Sequence, residues 1–80
     1  VLSLERPKYE NATWETLKVR WFNHQRGYGF LERTPDDSGI FVHATTMRAS
    51  GMIELRPGQM VRAACEDGDQ GPVAKQIAPV

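Results

Sequence analysis

The sequence predicts an all-β fold, a small barrel of five short strands with one helical turn. Two observations predict it. Short runs rich in β-branched and aromatic residues recur along the chain, and clusters of Gly, Pro, Asp and Ser separate them at intervals of about 8–12 residues. The 80 residues suffice for one domain with a modest core, because so short a chain buries only about 60% of its unfolded surface.

The composition is that of a folded domain, with 40% hydrophobic and 25% charged residues. Lys and Arg balance Asp and Glu at 10 each, which argues against nucleic-acid binding by bulk charge. The distribution is uneven, however, since cations gather in residues 17–33 and acids in 36–37 and 66–69. No apolar run reaches the about 20 residues that cross a bilayer and no signal peptide is visible, so we expect a cytoplasmic protein without membrane contact.

Residues 1–15 show no usable periodicity, and we interpret them as a flexible N-terminal tail or linker. The domain is then expected at 16–80. Such a linker would suit a second domain in a longer parent chain. Trp14 lies close enough to the first strand that we expect it to pack on the edge of the domain.

The first predicted strand, residues 17–23, contains two neighbouring aromatic residues. Alternation places Trp21 with Val19 on one face and Phe22 with Arg20 on the other. Both rings can be buried only if a bulge or a strong twist interrupts the strand. We therefore expect one of the two to be exposed.

The second and third predicted strands, residues 28–33 and 39–43, carry rings at alternate positions. Alternate side chains point to opposite faces of a sheet, so the rings share one face. The ring-bearing residues are Tyr28, Phe30, Phe41 and His43. The opposite face carries an ordinary core stripe of Leu31, Ile40 and Val42. With Arg26 at its entrance, the ring-bearing face has the pattern of a platform for stacked bases.

The second half of the chain supplies the helical turn and two more strands. Residues 44–50 fit one or two turns of helix, and the remaining strands are predicted at 60–66 and 73–78, with an acidic loop between them. Cys65 is the only cysteine, which excludes an intrachain disulfide. It shares a strand face with Val61 and Ala63, so we expect a small core residue.

Three motifs in order resemble those of the bacterial cold-shock proteins. They are Lys18-Val19-Arg20-Trp21-Phe22-Asn23, Arg26-Gly27-Tyr28-Gly29-Phe30-Leu31 and Ile40-Phe41-Val42-His43. The resemblance covers about residues 17–78. It implies a five-stranded antiparallel OB-fold barrel that binds single-stranded RNA or DNA, with no cofactor, no metal and no catalytic activity. It further implies an RNA chaperone that melts secondary structure, or a modulator of transcription or translation.

The resemblance also assigns roles to individual residues. It gives base stacking to Trp21, Tyr28, Phe30, Phe41 and His43. It places Arg20, Asn23 and Arg26 along the bases or the backbone. The first strand is thereby resolved, with Trp21 on the binding face and Phe22 largely beneath it.

Four positions depart from the family pattern. Ala44 and Met52 stand where aromatic or large residues are common, Gln70 where a basic residue is frequent, and Lys75 where a small one is usual. A stacked ring contributes about 1–3 kcal/mol per base, so we expect a shorter or weaker footprint. Met52 is included among the binding residues, because a thioether makes favourable contacts with rings.

Three other classes of protein compare with this pattern. An enzyme is not expected, since no nucleophile, base and orienting acid can be assembled and neither histidine has a ligand-spaced partner for a metal. An RNA-recognition (RRM) domain shares the Arg-Gly-aromatic-Gly-Phe motif, but there the partner strand precedes the motif and two helices cover the sheet. The remaining alternative is a degenerate cold-shock-like barrel, altered at Ala44 and Met52, that serves as a protein-interaction module.

Overall fold

The computed structural model describes residues 14–80, which form five strands and one short helix. In chain order the elements are β1 (Trp14–Asn23), β2 (Tyr28–Glu32), β3 (Ile40–His43), α1 (Ala44–Ala49), β4 (Met60–Gly68) and β5 (Gly71–Pro79). Most of the expected tail at 1–15 lies outside the described residues, so the tail and the boundary at 16 stay predictions. β1 already begins at Trp14, and the guanidinium carbon of Arg62 lies 5.3 Å from the centre of the Trp14 ring.

The strands close into a barrel in the order β1-β2-β3-β5-β4, and β4 pairs with β1 to complete it. All neighbours are antiparallel except β3 and β5, which meet in parallel where Phe41 pairs with Val73. This architecture confirms the predicted five-stranded barrel of the OB-fold type.

The core lies inside the barrel, because alternation sends every second side chain of each strand inward. Its largest fully buried side chains are Leu17, Val19, Leu31, Ile40, Val42, Leu55 and Val61. Burial of each such side chain contributes about 1.5–3 kcal/mol relative to exposure. The predicted core stripe on β2 and β3 is among them, so the other side of these two strands faces outward.

A bulge between Val19 and Trp21 interrupts the pairing of β1 with β2. It turns Trp21 outward, where the residue is 38% exposed, and leaves Phe22 packed partly against the core. The expected exposure of one of the two aromatic rings is confirmed, and it occurs together with a bulge. Gly29 lies opposite Phe22 in the pairing of β2 with β1. A Cβ at this glycine would clash with the carbonyl oxygen of Trp21. β2 therefore approaches β1 this closely only because residue 29 has no side chain.

Cys65 is only half-buried, whereas the sequence predicted a core position. It packs against the margin of the core, whereas Val61 and Ala63 on the same face of β4 are fully buried. The register of β4 with β5 shifts at this point, because Ala64 pairs with Gln76 and Cys65 with Ala74, which leaves Lys75 as an extra residue on β5.

β4 and β5 form a tighter hairpin than predicted. β4 extends to Gly68 and β5 starts at Gly71, so most of the acidic segment expected as a loop is strand. Gly71 has a φ of +125°, a conformation that glycine adopts without the strain of a side chain and that allows a two-residue connection.

α1 follows β3 without a loop and buries Ala44 and Met47 against the barrel. Its six residues confirm the helical turn predicted at 44–50. No helix within residues 14–80 has the length and apolarity that a membrane span requires.

Candidate nucleic-acid interface

One outer side of the barrel carries a group of rings that crosses three adjacent strands. Phe30 of β2 pairs with Trp21 of β1 on one side and with Phe41 of β3 on the other, while Tyr28 pairs with His43. Residues paired across neighbouring strands share a face of the sheet. We call this surface the aromatic face, and it consists of Trp21, Tyr28, Phe30, Phe41 and His43.

The rings of the aromatic face contact one another and hold each other in place. The Trp21 ring centre lies 5.5 Å from that of Tyr28 and 5.4 Å from that of Phe30, with interplanar angles of 71° and 54°. Phe41 lies 5.8 Å from both Phe30 and Tyr28, edge-on to the former and nearly parallel to the latter at 21°. These are the spacings at which aromatic pairs attract one another, so the rings form one connected surface.

The aromatic face is open to solvent. Trp21 and His43 are exposed, and the other three rings are half-buried against one another. Leu31, Ile40 and Val42 on the inner side of the same strands are at most 1% exposed, as expected. The core therefore does not use these rings, and their faces are available to a ligand.

His43 also determines where α1 begins. Its Nδ1 accepts a hydrogen bond from the backbone N–H of Thr45 at 3.1 Å and lies 3.0 Å from the Thr45 hydroxyl. A side chain that accepts from the first turn of a helix caps its otherwise unpaired N–H groups. The cap limits rotation of the imidazole ring while the residue stays exposed.

A cleft of about 300 Å³ continues the aromatic face toward the start of β5. Phe30 and Phe41 form its aromatic wall, Ser38 and Gly39 line it from the β2–β3 loop, and residues 70–73 line it from β5 and the hairpin. The cleft combines apolar walls with a few polar groups, which is typical of a ligand-binding site.

The Arg20 guanidinium is hydrogen-bonded to other groups of the protein. Its Nε donates to a Glu32 carboxylate oxygen at 2.7 Å, and one terminal nitrogen donates to the Asp37 carbonyl and carboxylate at 2.8 and 2.9 Å. These contacts raise the pKa of the Arg20 guanidinium, chiefly through the hydrogen bond to Glu32. Arg20 thus anchors the β2–β3 loop, a role that the sequence did not indicate because Asp37 lies 17 positions away.

Asn23 and Arg26 shape the β1–β2 turn. The Asn23 side-chain oxygen accepts from the Arg26 backbone N–H at 2.8 Å, and Gly27, with a φ of +80°, donates to the Asn23 carbonyl at 2.8 Å. The carbonyl of Gly27 in turn accepts from Ala44 at 2.8 Å, which joins the turn to α1. The Arg26 side chain is exposed and has no side-chain partner within residues 14–80.

The two positions that depart most from the family pattern are withdrawn from the surface. Ala44 is 3% exposed, and Met52 is half-buried and packs against the core. Met52 therefore gives much of its side chain to the barrel, and its expected contact with a ligand stays a prediction. The large hydrophobic side chain that the same loop exposes is Ile53, at 86%, which the sequence did not single out.

Comparison with known proteins agrees with this geometry. Residues 15–80 match the family described as "'Cold-shock' DNA-binding domain". The chain is 40% identical to the major cold shock protein CspA of Bacillus cereus over 62 residues, which cover 78% of this chain and 91% of that protein. It is 40% identical to cold shock protein CspB of Geobacillus stearothermophilus over 60 residues, 75% of this chain and 89% of that protein.

A more distant similarity adds cold shock protein ScoF of Streptomyces coelicolor, 36% identical over 61 residues that cover 76% of this chain and 91% of that protein. The matched residues contain the entire barrel except the first residue of β1. The chain belongs to the cold-shock domain family.

Proposed function

We propose that this domain binds single-stranded RNA or DNA by stacking unpaired bases on the aromatic face, and that it acts as an RNA chaperone or as a modulator of transcription or translation. The observation that carries the proposal is the group of mutually contacting rings on the outside of a barrel whose core is filled without them. Unpaired bases expose their π-faces, whereas a duplex hides them in the stack.

The stacking surface is formed before a ligand arrives. Because the rings pack against one another, little side-chain freedom is lost when a base is bound. Each base–ring stack contributes about 1–3 kcal/mol and makes little demand on sequence. The cleft beside Phe30 and Phe41 lengthens the surface toward β5.

Preference for single strands is sufficient for chaperone activity without ATP. A protein that binds only the unpaired state of a hairpin shifts its equilibrium toward that state. We expect the effect to be moderate, because Ala44 and Met52 add no ring to the aromatic face.

Catalysis forms no part of the proposal. The matching family is described as a DNA-binding domain, which supports binding as the role of this chain. We infer that the domain needs neither a metal nor a cofactor and that it acts in the cytoplasm.

A protein-interaction module is the second candidate. Two observations favour it: the chain has zero net charge, and the carboxylates of Glu32 and Asp37 occupy Arg20. In that case the aromatic face would bind an apolar segment of a partner protein instead of bases.

A fluorescence titration separates the two candidates. The variant Trp14→Phe leaves Trp21 as the only tryptophan, and its emission reports directly on the aromatic face. We expect oligothymidine to quench it, with a slope of log affinity against log salt of about −0.7 for every phosphate contacted. A duplex of equal length is the control and should quench far less. Unchanged emission at high micromolar oligothymidine would contradict nucleic-acid binding and favour the interaction module.

A further inference from the structure

β5 extends the outer surface of the barrel beyond the aromatic face. Val73 pairs with Phe41 and lines the same cleft, so it faces the same side as the rings. The next residue, Ala74, is 1% exposed and points inward. Lys75 follows and is exposed. It has no partner on β4, because Ala64 pairs with Gln76 and Cys65 with Ala74, so Lys75 is the extra residue of a bulge in β5.

Lys75 lies on the side of the barrel where β3 gives way to α1. Val73, two positions earlier on β5, pairs with Phe41, and the two strands run in the same direction from that pair. His43, two positions after Phe41, is the last residue of β3 and pairs with Tyr28 of β2. Beyond His43 the chain enters α1, and Lys75 borders a small hollow with Thr46, Ala49 and Ser50 of the helical segment.

Acidic and basic side chains gather at opposite ends of the barrel. β3 and β5 are parallel, so the β2–β3 loop and the β4–β5 hairpin lie together at one end of the barrel. This acidic end carries Asp36, Asp37, Glu66, Asp67 and Asp69. The opposite, basic end carries Arg26 in the β1–β2 turn, Arg48 in α1 and Lys75, and the hydrogen bond from Ala44 to Gly27 holds turn and helix together.

Lys75 is not neutralised within the described part of the chain. The ion pairs of residues 14–80 involve Arg20, Arg33 and Arg56, each bound to a carboxylate within 3.0 Å. An exposed ammonium group at the basic end, next to a surface that stacks bases, is suited to a backbone phosphate. Phosphate contacts position a strand, whereas stacked bases supply the rest of the affinity.

We infer that Lys75 binds a backbone phosphate of the single strand and so extends the interface from the aromatic face onto β5 and along α1. This inference rests on the proposed function. The strand then crosses β2, β3 and β5 with its backbone at the basic end and its bases over the rings.

The test compares Lys75→Ala with Lys18→Ala. Both lysines are exposed on strands, but Lys18 lies on β1, where its backbone pairs with Glu32 and Met60, and it borders neither the cleft nor the hollow. For Lys75→Ala we expect affinity for oligothymidine to fall about fivefold at low salt, and the salt slope to become shallower by about 0.7, the value for one phosphate on a single strand. Lys18→Ala should keep the wild-type slope, and Lys75→Arg should restore it.

The outcomes separate this inference from the proposed function. Binding by the wild type with an unchanged slope in Lys75→Ala would overturn the role of Lys75 alone. An equal change in Lys18→Ala would overturn it as well, since the effect would then be one of general charge. Absence of binding by the wild type would overturn both proposals. Thermal unfolding of each variant shows whether the fold is intact.

Discussion

Phe41 packs against two other rings of the aromatic face. Its ring centre lies 5.8 Å from both Phe30 and Tyr28, and its backbone pairs with β2 on one side and β5 on the other. A base stacked here would meet a ring that packs against two others. The residue is half-buried, so its size and its π-face contribute separately to stability and to binding.

Substitutions at Phe41 separate these two contributions. Phe41→Leu keeps an apolar side chain but removes the π-face, and we expect affinity for oligothymidine to fall about 5- to 150-fold, which corresponds to 1–3 kcal/mol. Phe41→Tyr keeps the ring and should bind within about twofold of the wild type. The measurement is the same fluorescence titration. Equal affinity of the leucine variant and the wild type would show that stacking does not drive binding at this position.

At the residue scale, the sequence predicted the outward rings well and the polar groups poorly. Alternation alone places Tyr28, Phe30, Phe41 and His43 on one face, because a strand has a fixed period. The partner of Arg20 depends instead on how a loop folds back, and local periodicity contains no such information. The burial of Ala44 likewise depends on the contact of α1 with the β1–β2 turn.

The β2–β3 loop is the element that Asp37 holds together. The Asp37 carboxylate accepts from the backbone N–H groups of Arg33 at 2.6 Å and Gly39 at 2.9 Å, and it pairs with Arg20. The hydrogen bond from Arg33 is the main reason that the pKa of Asp37 lies below its ordinary value. Because Gly39 also lines the cleft, this anchor shapes one wall of the binding surface.

A pH dependence of stability follows from the lowered pKa. The Asp37 carboxyl binds protons more weakly in the folded state than in the unfolded state, so its ionised form stabilises the fold. The contribution is present above the unfolded pKa of 3.8 and is lost as the pH falls through the lower folded pKa. Glu15 acts in the same direction, since the hydrogen bond from Arg33 lowers its pKa below 4.5.

The measurement is the melting temperature between pH 7 and pH 2. We expect the melting temperature to stay constant down to about pH 5 and to fall below pH 4. In this acidic range the melting temperature of Asp37→Asn should decline less than that of the wild type. Asp36→Asn is the matched control, because Asp36 makes no side-chain hydrogen bond within residues 14–80. Parallel curves for the wild type and Asp37→Asn would refute the anchoring role.

At the scale of elements, the number of strands and their places in the sequence were predictable and strand length less so. β-branched and aromatic runs mark the strands, but β4 and β5 extend through residues of low strand propensity because each pairs with the other up to Gly68 and Gly71. The register shift opposite Cys65 was not predictable either, since bulges arise from pairing between strands and not from either strand alone.

The whole molecule combines zero net charge with a polarised surface. The acidic end follows from the parallel contact of β3 with β5, which brings two acidic segments together although about 30 positions separate them in the sequence. No local sequence pattern predicts the contact of β3 with β5. The resemblance to the cold-shock family predicts it, because it implies the whole fold. The local electrostatic potential of the surface, rather than the net charge, therefore determines where a phosphate backbone would be favoured.

The most direct test of this account is the change in aromatic side-chain NMR resonances when oligothymidine is added to the domain. Stacked bases exert ring-current shifts on the groups they cover, so we expect the largest shifts at Trp21, Tyr28, Phe30, Phe41 and His43. The methyl groups of Leu31, Ile40 and Val42, on the inner side of the same strands, should move little. Shifts centred on any other surface, or none at saturating oligothymidine, would contradict the claim that these rings bind unpaired bases.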